Sequence, residues 1–446
     1  MDRLTRRAAI WRRIGRTGVL VPLTILSARV LGAVLGLVLS LLMVRVMGAH
    51  EMGRALTAMS LAMLLPILAT ASCEAGAARF LTQALYREEP GRAAGFIRMT
   101  WQVAGICIPV VIAIGAAAIL LRGGGDGLVF LLAVLSVAFM GPLRIGSAHA
   151  MGFSRVIVAT LPGTFLRPLM LLAFLTLFLL VSPTAPTASV VLTCFLLSAA
   201  ANLALQQLLL RQDYRRLAGV SRDLGPRRDW IAYGLQIGAA LLFIEYSKDI
   251  TVLFASVSLV PSDVARLSVA LSFVGFARFA VIAVNQSVTP ELSRRIAAGD
   301  DAHLLKIVDR SNLMKIVAAL TGLVAFWAVG PALLGLYDAD FARAWWLLPV
   351  LMADPVCLAI FGPSSNVLSL SGHQRVLMTV SLVMVPVLMA LVASGGYLFG
   401  LGGAAVGATL AWAVFYGVLS LLVWRARGVN LTLFGTLTRW QAGRAG

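Results

Sequence analysis

Residues 20–46 read LVPLTILSARVLGAVLGLVLSLLMVRV, 27 positions with only two charges, Arg29 and Arg45. About 20 apolar residues at 1.5 Å each cross a bilayer core of roughly 30 Å, so this stretch is long enough to span one as a helix. Runs of the same kind recur near 54–80, 99–121, 128–150, 156–181, 188–210, 231–258, 264–290, 312–336, 344–369, 375–398 and 402–424. They are not the roughly ten-residue alternating segments of a membrane β-barrel. Over the 446 residues, 60% are hydrophobic and 13% charged, and the mean hydropathy is +0.91. A soluble surface needs about 25% charged residues, so most of this surface faces something other than water. The reading is an all-α polytopic membrane protein of about 12 transmembrane helices in two six-helix lobes.

The net charge of +18 is explained by position and calls for no nucleic-acid partner. Lys and Arg crowd the basic N-terminus (1–19), the stretch Arg211 to Arg228, the stretch Arg294 to Lys315, and the tail (426–446). Alternate loops carry roughly 26 of these residues against about four (Arg54, Arg122, Arg266, Arg343), which by the positive-inside rule puts both termini in the cytoplasm. Trp230, Trp345, Trp346 and Trp424 fall near span ends, where an interfacial aromatic belt belongs. The N-terminal apolar stretch is long and lacks a small-residue cleavage site, so it reads as a span and not as a removable signal. The inner segment 211–229 is polar, basic and broken by Gly225-Pro226, and reads as a linker between an N-terminal lobe (20–210) and a C-terminal lobe (230–425). A shift of about 212 residues pairs Glu51 with Asp263, Arg54 with Arg266, Ser60 with Ser272, Glu88 with Asp300, Glu89 with Asp301 and Arg98 with Arg310, without a gap. That spacing favours two lobes of parallel topology, a common transporter plan.

Ionisable groups at membrane depth cost several kcal/mol, so each is a candidate functional residue. The segmentation leaves Arg29, Glu74, Arg167, Glu245, Lys248, Asp249, Arg278 and Asp354 within spans, with Arg45, Arg79 and Arg144 close enough to span ends to snorkel. Glu245, Lys248 and Asp249 share one helix face at i, i+3 and i+4. They are a self-neutralising ion pair, or a site where the surplus carboxylate binds H⁺ or Na⁺. Arg29, Arg167 and Arg278 have no carboxylate within helical reach on their own spans. They fit a cationic cavity for an anionic group, because guanidinium stays charged and grips phosphate oxygens bidentately. Glu74 and Asp354 read as neutralising partners of nearby arginines, with ion coupling the sharper alternative for Glu74. Gly32 and Gly36 have a GxxxG spacing that suits close helix packing. Cys73, Cys107, Cys194 and Cys357 read as small apolar residues, the four histidines have no metal-ligand spacing, and no P-loop is present. No catalytic residues, metal or cofactor are expected beyond a coupling H⁺ or Na⁺. The outer loops are too short to hold a catalytic domain.

Ser27-Ala28-Arg29-Val30-Leu31-Gly32, then Arg45-Val46-Met47-Gly48 and Glu51-Met52-Gly53, resemble the opening of Wzx-type polysaccharide flippases. These sit in the MOP superfamily with the lipid II flippases and MATE multidrug exporters. The likeness continues through Asp249, Val288-Thr289-Pro290-Glu291-Leu292-Ser293 with the basic loop Arg294 to Asp301, Tyr337 to Ala344, Leu370-Ser371-Gly372-His373-Gln374 and Gly400-Leu401-Gly402-Gly403-Ala404-Ala405. The resemblance implies a MATE-like fold and a flippase moving undecaprenyl-diphosphate-linked oligosaccharides across the inner membrane by alternating access. It carries family cavity arginines onto Arg29, Arg54 and Arg278. Twelve spans leave out the additional pair of the lipid II flippases, which counts against a peptidoglycan precursor. The expected partners are lipid-linked oligosaccharide and membrane lipid, with a polysaccharide polymerase as an associated protein and a monomer as the working unit. Two alternatives stand beside this reading. One is a MATE-like cation-coupled drug or metabolite antiporter, which would be expected to place acidic residues in the N-terminal lobe. The other is a membrane polysaccharide polymerase or ligase, which would be expected to carry a sizeable outer loop.

Overall fold

The computed structural model describes residues 20–445 apart from 124, 222 and 226, and all of its regular structure is helical. The basic segment 1–19 lies outside the described residues. In chain order the α-helices are α1 (Leu20–Ala69), α2 (Ala77–Tyr86), α3 (Pro90–Arg122), α4 (Gly127–Leu135), α5 (Val137–Gly152), α6 (Val156–Leu161), α7 (Arg167–Val181), α8 (Ala188–Leu217) and α9 (Arg227–Ala255). They continue as α10 (Pro261–Ala298), α11 (Asp301–Gly335), α12 (Ala339–Arg343), α13 (Leu347–Leu351), α14 (Ala353–Ile360), α15 (Ser364–Leu370), α16 (Gln374–Arg427) and α17 (Leu433–Ala445).

Among the described residues, eight stretches are long and apolar enough to cross a membrane, or nine when the bent pair Leu347–Ile360 and Ser364–Leu370 counts as one broken span. Two of the eight are double. Gly48 (φ 76°) interrupts α1 and Gly400 (φ 62°) interrupts α16 with backbone angles that a Cβ disfavours, so each consists of two helical segments, each long enough to cross. The 29-residue α9 is long enough to cross but carries Glu245, Lys248 and Asp249, which keep it off that apolar set. Adding these gives twelve crossings, as the hydropathy pattern predicts. The most apolar window of α3 is only 6% buried, and Leu120, Leu121, Leu180 and Phe399 are largely exposed. Helix surfaces that apolar fit hydrocarbon and not water.

Four expected spans are not continuous helices, the fourth (128–150) being interrupted at Ser136 between α4 and α5. The second, expected over 54–80, stops at Ala69. Ala71 (φ 47°) and Ser72 (φ 50°) take left-handed backbone, and a 3₁₀ turn, Cys73–Gly76, leads into α2. Such residues cost about 1 kcal/mol or more each and persist where the surroundings enforce them. The fifth is opened by a π turn at Pro162–Leu166, where Pro162 has no N–H to donate. The tenth, expected over 344–369, is cut into α13, α14 and α15, with Gly362 at φ 73° in its widest gap.

The described residues up to Leu42 together with Leu65–Gly238 form one compact unit, and Met43–Leu64 with Ala239 onward form a second. Met43–Leu64, read from sequence as part of the 20–210 lobe, thus makes its contacts with the C-terminal residues. The first unit has a core of Cys73, Ala77, Leu81, Phe96, Met99 and Trp230, with Phe96 and Trp230 meeting edge-on at 5.4 Å. In the second unit Phe243 lies 4.6 Å from Trp412 and 4.7 Å from Phe415, and Trp412 stacks on Tyr416 at 5.2 Å. Asp300 caps α11: its carboxylate accepts from the His303 backbone N–H at 3.1 Å and faces His303 Nδ1 at 2.8 Å. These bonds hold the Asp300 carboxyl below its ordinary range, the backbone bond contributing most.

Candidate functional site

In the first unit, Gly32 on α1 sits so close to the π turn that a Cβ there would lie 1.9 Å from the Thr164 carbonyl oxygen. This contact sets Arg29, one turn before Gly32, beside the segment that carries Arg167, one turn after Thr164. If the two segments run parallel, six residues of offset separate the two arginines by about 9 Å along the axis. Arg29 is exposed and makes no ion pair among the described residues, while Arg167 is half-buried. Asn202 on α8 donates to the Pro162 carbonyl at 3.3 Å, which also accepts the π-turn bond from the Arg167 backbone N–H.

Glu74, in the 3₁₀ turn of the same unit, is buried. Its Oε1 accepts from Arg144 Nη2 at 2.7 Å and Nε at 3.0 Å, while Oε2 is buried with no hydrogen-bond partner among the described residues. Arg144 therefore does not snorkel, and the sequence reading of Glu74 as a neutralising partner fits this geometry. His149, read as one of four scattered histidines, is fully buried. Its Nε2 lies 3.0 Å from Thr100 Oγ1 and its Nδ1 3.0 Å from Tyr214 Oη.

In the second unit Arg278 on α10 has a counter-ion that its own span could not reveal. Its Nη1 lies 3.4 Å from Asp354 Oδ2 on α14, and its Nη2 donates to Tyr416 Oη at 3.2 Å. The Tyr416 hydroxyl donates in turn to Asp354 Oδ1 at 3.3 Å, and the guanidinium carbon lies 4.1 Å over the Trp412 ring. The arrangement is a closed triad on an aromatic floor. Arg54 pairs with Glu51, and Arg266 pairs with Asp263 at 2.6 Å and Asp340 at 3.4 Å. Glu51–Arg54 and Asp263–Arg266 are two of the pairs related by the 212-residue shift, and they form the same i,i+3 contact. Their helix starts also touch: a Cβ on Gly53 would lie 1.7 Å from the Pro261 carbonyl oxygen. Lys248 on α9 donates to Ser272 on α10 at 2.8 Å, with Glu245 exposed and Asp249 half-buried on the same helix.

The sequence reading missed Lys315. Counted there with the basic stretch Arg294 to Lys315, it is fully buried on α11, and its Nζ has no hydrogen-bond partner among the described residues. Its place inside the span expected over 312–336 was the signal available.

No family model and no curated protein matches the sequence. Solved structures do match. An inward-facing MATE family multidrug resistance transporter of the MOP superfamily aligns with a TM-score of 0.72 over 88% of this chain and 93% of that one, at 12% identity. The fold is MATE-like. The lipid II flippase MurJ in an inward closed conformation aligns with a TM-score of 0.70 at 13% identity, over 90% of this chain and 87% of that one. A MOP superfamily transporter from Pyrococcus furiosus, described as having a binding pocket of reverse polarity, aligns at 0.54 and 11% identity over 88% of this chain and 94% of that one. The MATE-like fold thus hosts both a multidrug transporter and a lipid II flippase among these neighbours.

Proposed function

We propose that this chain is a transporter that flips undecaprenyl-diphosphate-linked oligosaccharides across the inner membrane by alternating access, with both termini cytoplasmic. The observation that carries the reading is Arg29, an exposed arginine at membrane depth with no ion pair among the described residues, set one glycine contact away from the Arg167 segment. An uncompensated guanidinium in a span is costly, and an anionic headgroup brought by the substrate offsets that cost. A diphosphate offers oxygens to both arginines, each gripped in a bidentate fork. Arg278 and Arg54 already hold carboxylates in the second unit, so Arg29 takes the leading part.

One observation favours the cation-coupled antiporter. Glu74 puts a buried carboxylate with an unbonded oxygen in the first unit, where that reading expects acidic residues. The deciding experiment measures flipping of a fluorescent undecaprenyl-diphosphate oligosaccharide in proteoliposomes by wild type, Arg29→Ala, Arg29→Lys and Arg278→Ala. Loss of at least tenfold in folded Arg29→Ala, with partial recovery by Lys, is the expected result. Absence of flipping by well-folded wild type, with proton-driven efflux of a cationic dye, moves the assignment to the antiporter.

A further inference from the structure

Lys315 lies among buried polar atoms with no hydrogen-bond partner among the described residues. On α11, Ser311 and Asn312 precede it by four and three residues and share its face. All three are buried, and Ser311 Oγ, Asn312 Oδ1 and Lys315 Nζ each lack a hydrogen-bond partner among the described residues. Asn285 on α10 adds a fourth such atom, its buried Oδ1. The helices α10 and α11 are joined by the two-residue turn Gly299-Asp300, so residues equidistant from the turn lie level. Asn285 is thirteen residues before Ala298 and Lys315 fourteen after Asp301. The level is roughly 20 Å from the turn, inside the span.

The broken tenth span closes this level from another side. A Cβ on Gly362, in the gap between α14 and α15, would lie 3.5 Å from Asn312 Oδ1. Asn366 on α15 donates to Thr289 Oγ1 at 3.1 Å, and Thr289 Oγ1 donates to the Asn285 carbonyl at 2.7 Å. From the chain's C-terminal end, Asn312 Nδ2 donates to the Leu431 carbonyl at 2.9 Å and to Thr436 Oγ1 at 3.2 Å. Thr436 Oγ1 donates to Asp309 Oδ1, which also pairs with Arg439. A polar chain therefore runs from Asp309 and Arg439 through Thr436 and Asn312 toward the amine.

The charged groups on elements packed against α11 are otherwise engaged. On α10, Arg278 is held by Asp354 of α14, Asp263 and Arg266 hold each other, and Glu291 holds Arg294 and Arg295. Arg439 of α17 holds Asp309, and Asp340 and Arg343 of α12 pair at the other end. None of these forms an ion pair with Lys315 among the described residues. An isolated buried ammonium is among the most expensive groups a protein can hold, and native folds keep such groups at sites where the charge changes. Discontinuous spans are where transporters place coupling ions.

We propose that Lys315 is the proton-carrying group that couples the transport cycle, seated against the break in the Leu347–Leu370 span. In one state it is Lys–NH₃⁺, with Asn285 Oδ1, Asn312 Oδ1 and Ser311 Oγ as the acceptors at its level. In the other it releases one proton to solvent and becomes neutral Lys–NH₂, whose lone pair takes a proton back on the opposite half of the cycle. The inference rests on the transporter reading but not on the identity of the transported lipid.

The test uses protons alone as the probe. The full chain is reconstituted in proteoliposomes on a solid-supported membrane, and the charge displaced by pH steps between 5 and 9 is recorded without substrate. Wild type gives a transient with a single midpoint, Lys315→Met gives none, and Glu74→Gln retains it. Asn285→Asp places a carboxylate beside the amine and moves the midpoint to higher pH by about one unit or more. A wild type without a transient, or a folded Lys315→Met that keeps it, overturns the proposal. Should Lys315→Met fail to fold, an unshifted midpoint in Asn285→Asp overturns it equally. Loss of lipid flipping with the transient intact refutes the substrate reading and leaves this one standing.

Discussion

Asp354→Asn isolates what holds Arg278 in the membrane. Breaking a buried ion pair by removing one partner costs about 3–5 kcal/mol, because the other charge is left uncompensated. The structure argues for the lower end. The Arg278–Asp354 separation of 3.4 Å is longer than the roughly 2.7–2.9 Å of a strong charge-assisted bond. Tyr416 stays within 3.2 Å, and the Trp412 ring beneath the guanidinium retains a cation–π contribution of about 2 kcal/mol in a desolvated site. The expected loss is therefore about 3 kcal/mol, roughly a hundredfold in the unfolding equilibrium. The double variant Arg278→Met with Asp354→Asn removes both charges, so it recovers about 2 kcal/mol or more relative to the sum of the single changes Arg278→Met and Asp354→Asn. The assay is equilibrium unfolding in detergent micelles by denaturant titration for wild type, both single variants and the double. A loss under about 1 kcal/mol in Asp354→Asn, with the double variant additive within about 0.5 kcal/mol, would refute the reasoning. Flipping measured on the same four proteins separates structure from transport. Recovery in the double variant makes Arg278 a structural partner, and persistent loss gives it a part on the substrate path.

Gly32→Val puts side-chain atoms into the Thr164 carbonyl, which a Cβ alone would meet at 1.9 Å. The expected outcome is loss of monodisperse protein on size exclusion, with a cost above about 3 kcal/mol where any folds, whereas Gly36→Ala, with open space at its Cβ, folds normally. The Asp300 cap gives a pH response of definite sign. Its folded value is depressed, so its contribution is present above the ordinary carboxylate range and disappears as pH falls through the folded value. Hydrogen exchange at the start of α11, corrected for intrinsic rate, should lose protection in acid in wild type and be pH-insensitive and already less protected in Asp300→Ala.

Hydropathy was enough to place twelve crossings because a bilayer rewards apolar length directly, and a run such as 20–46 admits one reading. Glu51–Arg54 and Asp263–Arg266, related to each other by the 212-residue shift, form matching i,i+3 ion pairs. The breaks were not legible. Ala71 and Ser72 take left-handed backbone without a glycine to announce it, and the prolines around 162 and 349–363 resemble others that leave helices intact, such as Pro109 within α3. Interhelical partners were hidden for a different reason. Helical reach tests only i±3 and i±4 on one span, so Glu74 and Asp354 could be suspected as neutralising groups while their partners stayed unnamed. Lys315 was masked by its neighbours, because the basic loop before it made one more cation look like part of a solvated run.

The cost of a charge at membrane depth also sorts the candidates. Glu74 has Arg144, Arg278 has Asp354, Arg54 has Glu51 and Arg266 has Asp263, each within one unit. For these groups stability alone is a sufficient reason to exist, and function has to be demonstrated against it. Arg29 and Lys315 have no ion-pair partner among the described residues, and they differ in kind. Guanidinium does not deprotonate in proteins, so an exposed Arg29 can be compensated only by an anion arriving from outside. A primary amine can be compensated by giving up its proton, and Lys315, buried with three unbonded oxygens at its own level, has that route. On the proposed reading the two exceptions therefore divide the work: Arg29 meets the charge of the cargo, and Lys315 carries the proton that turns the cycle.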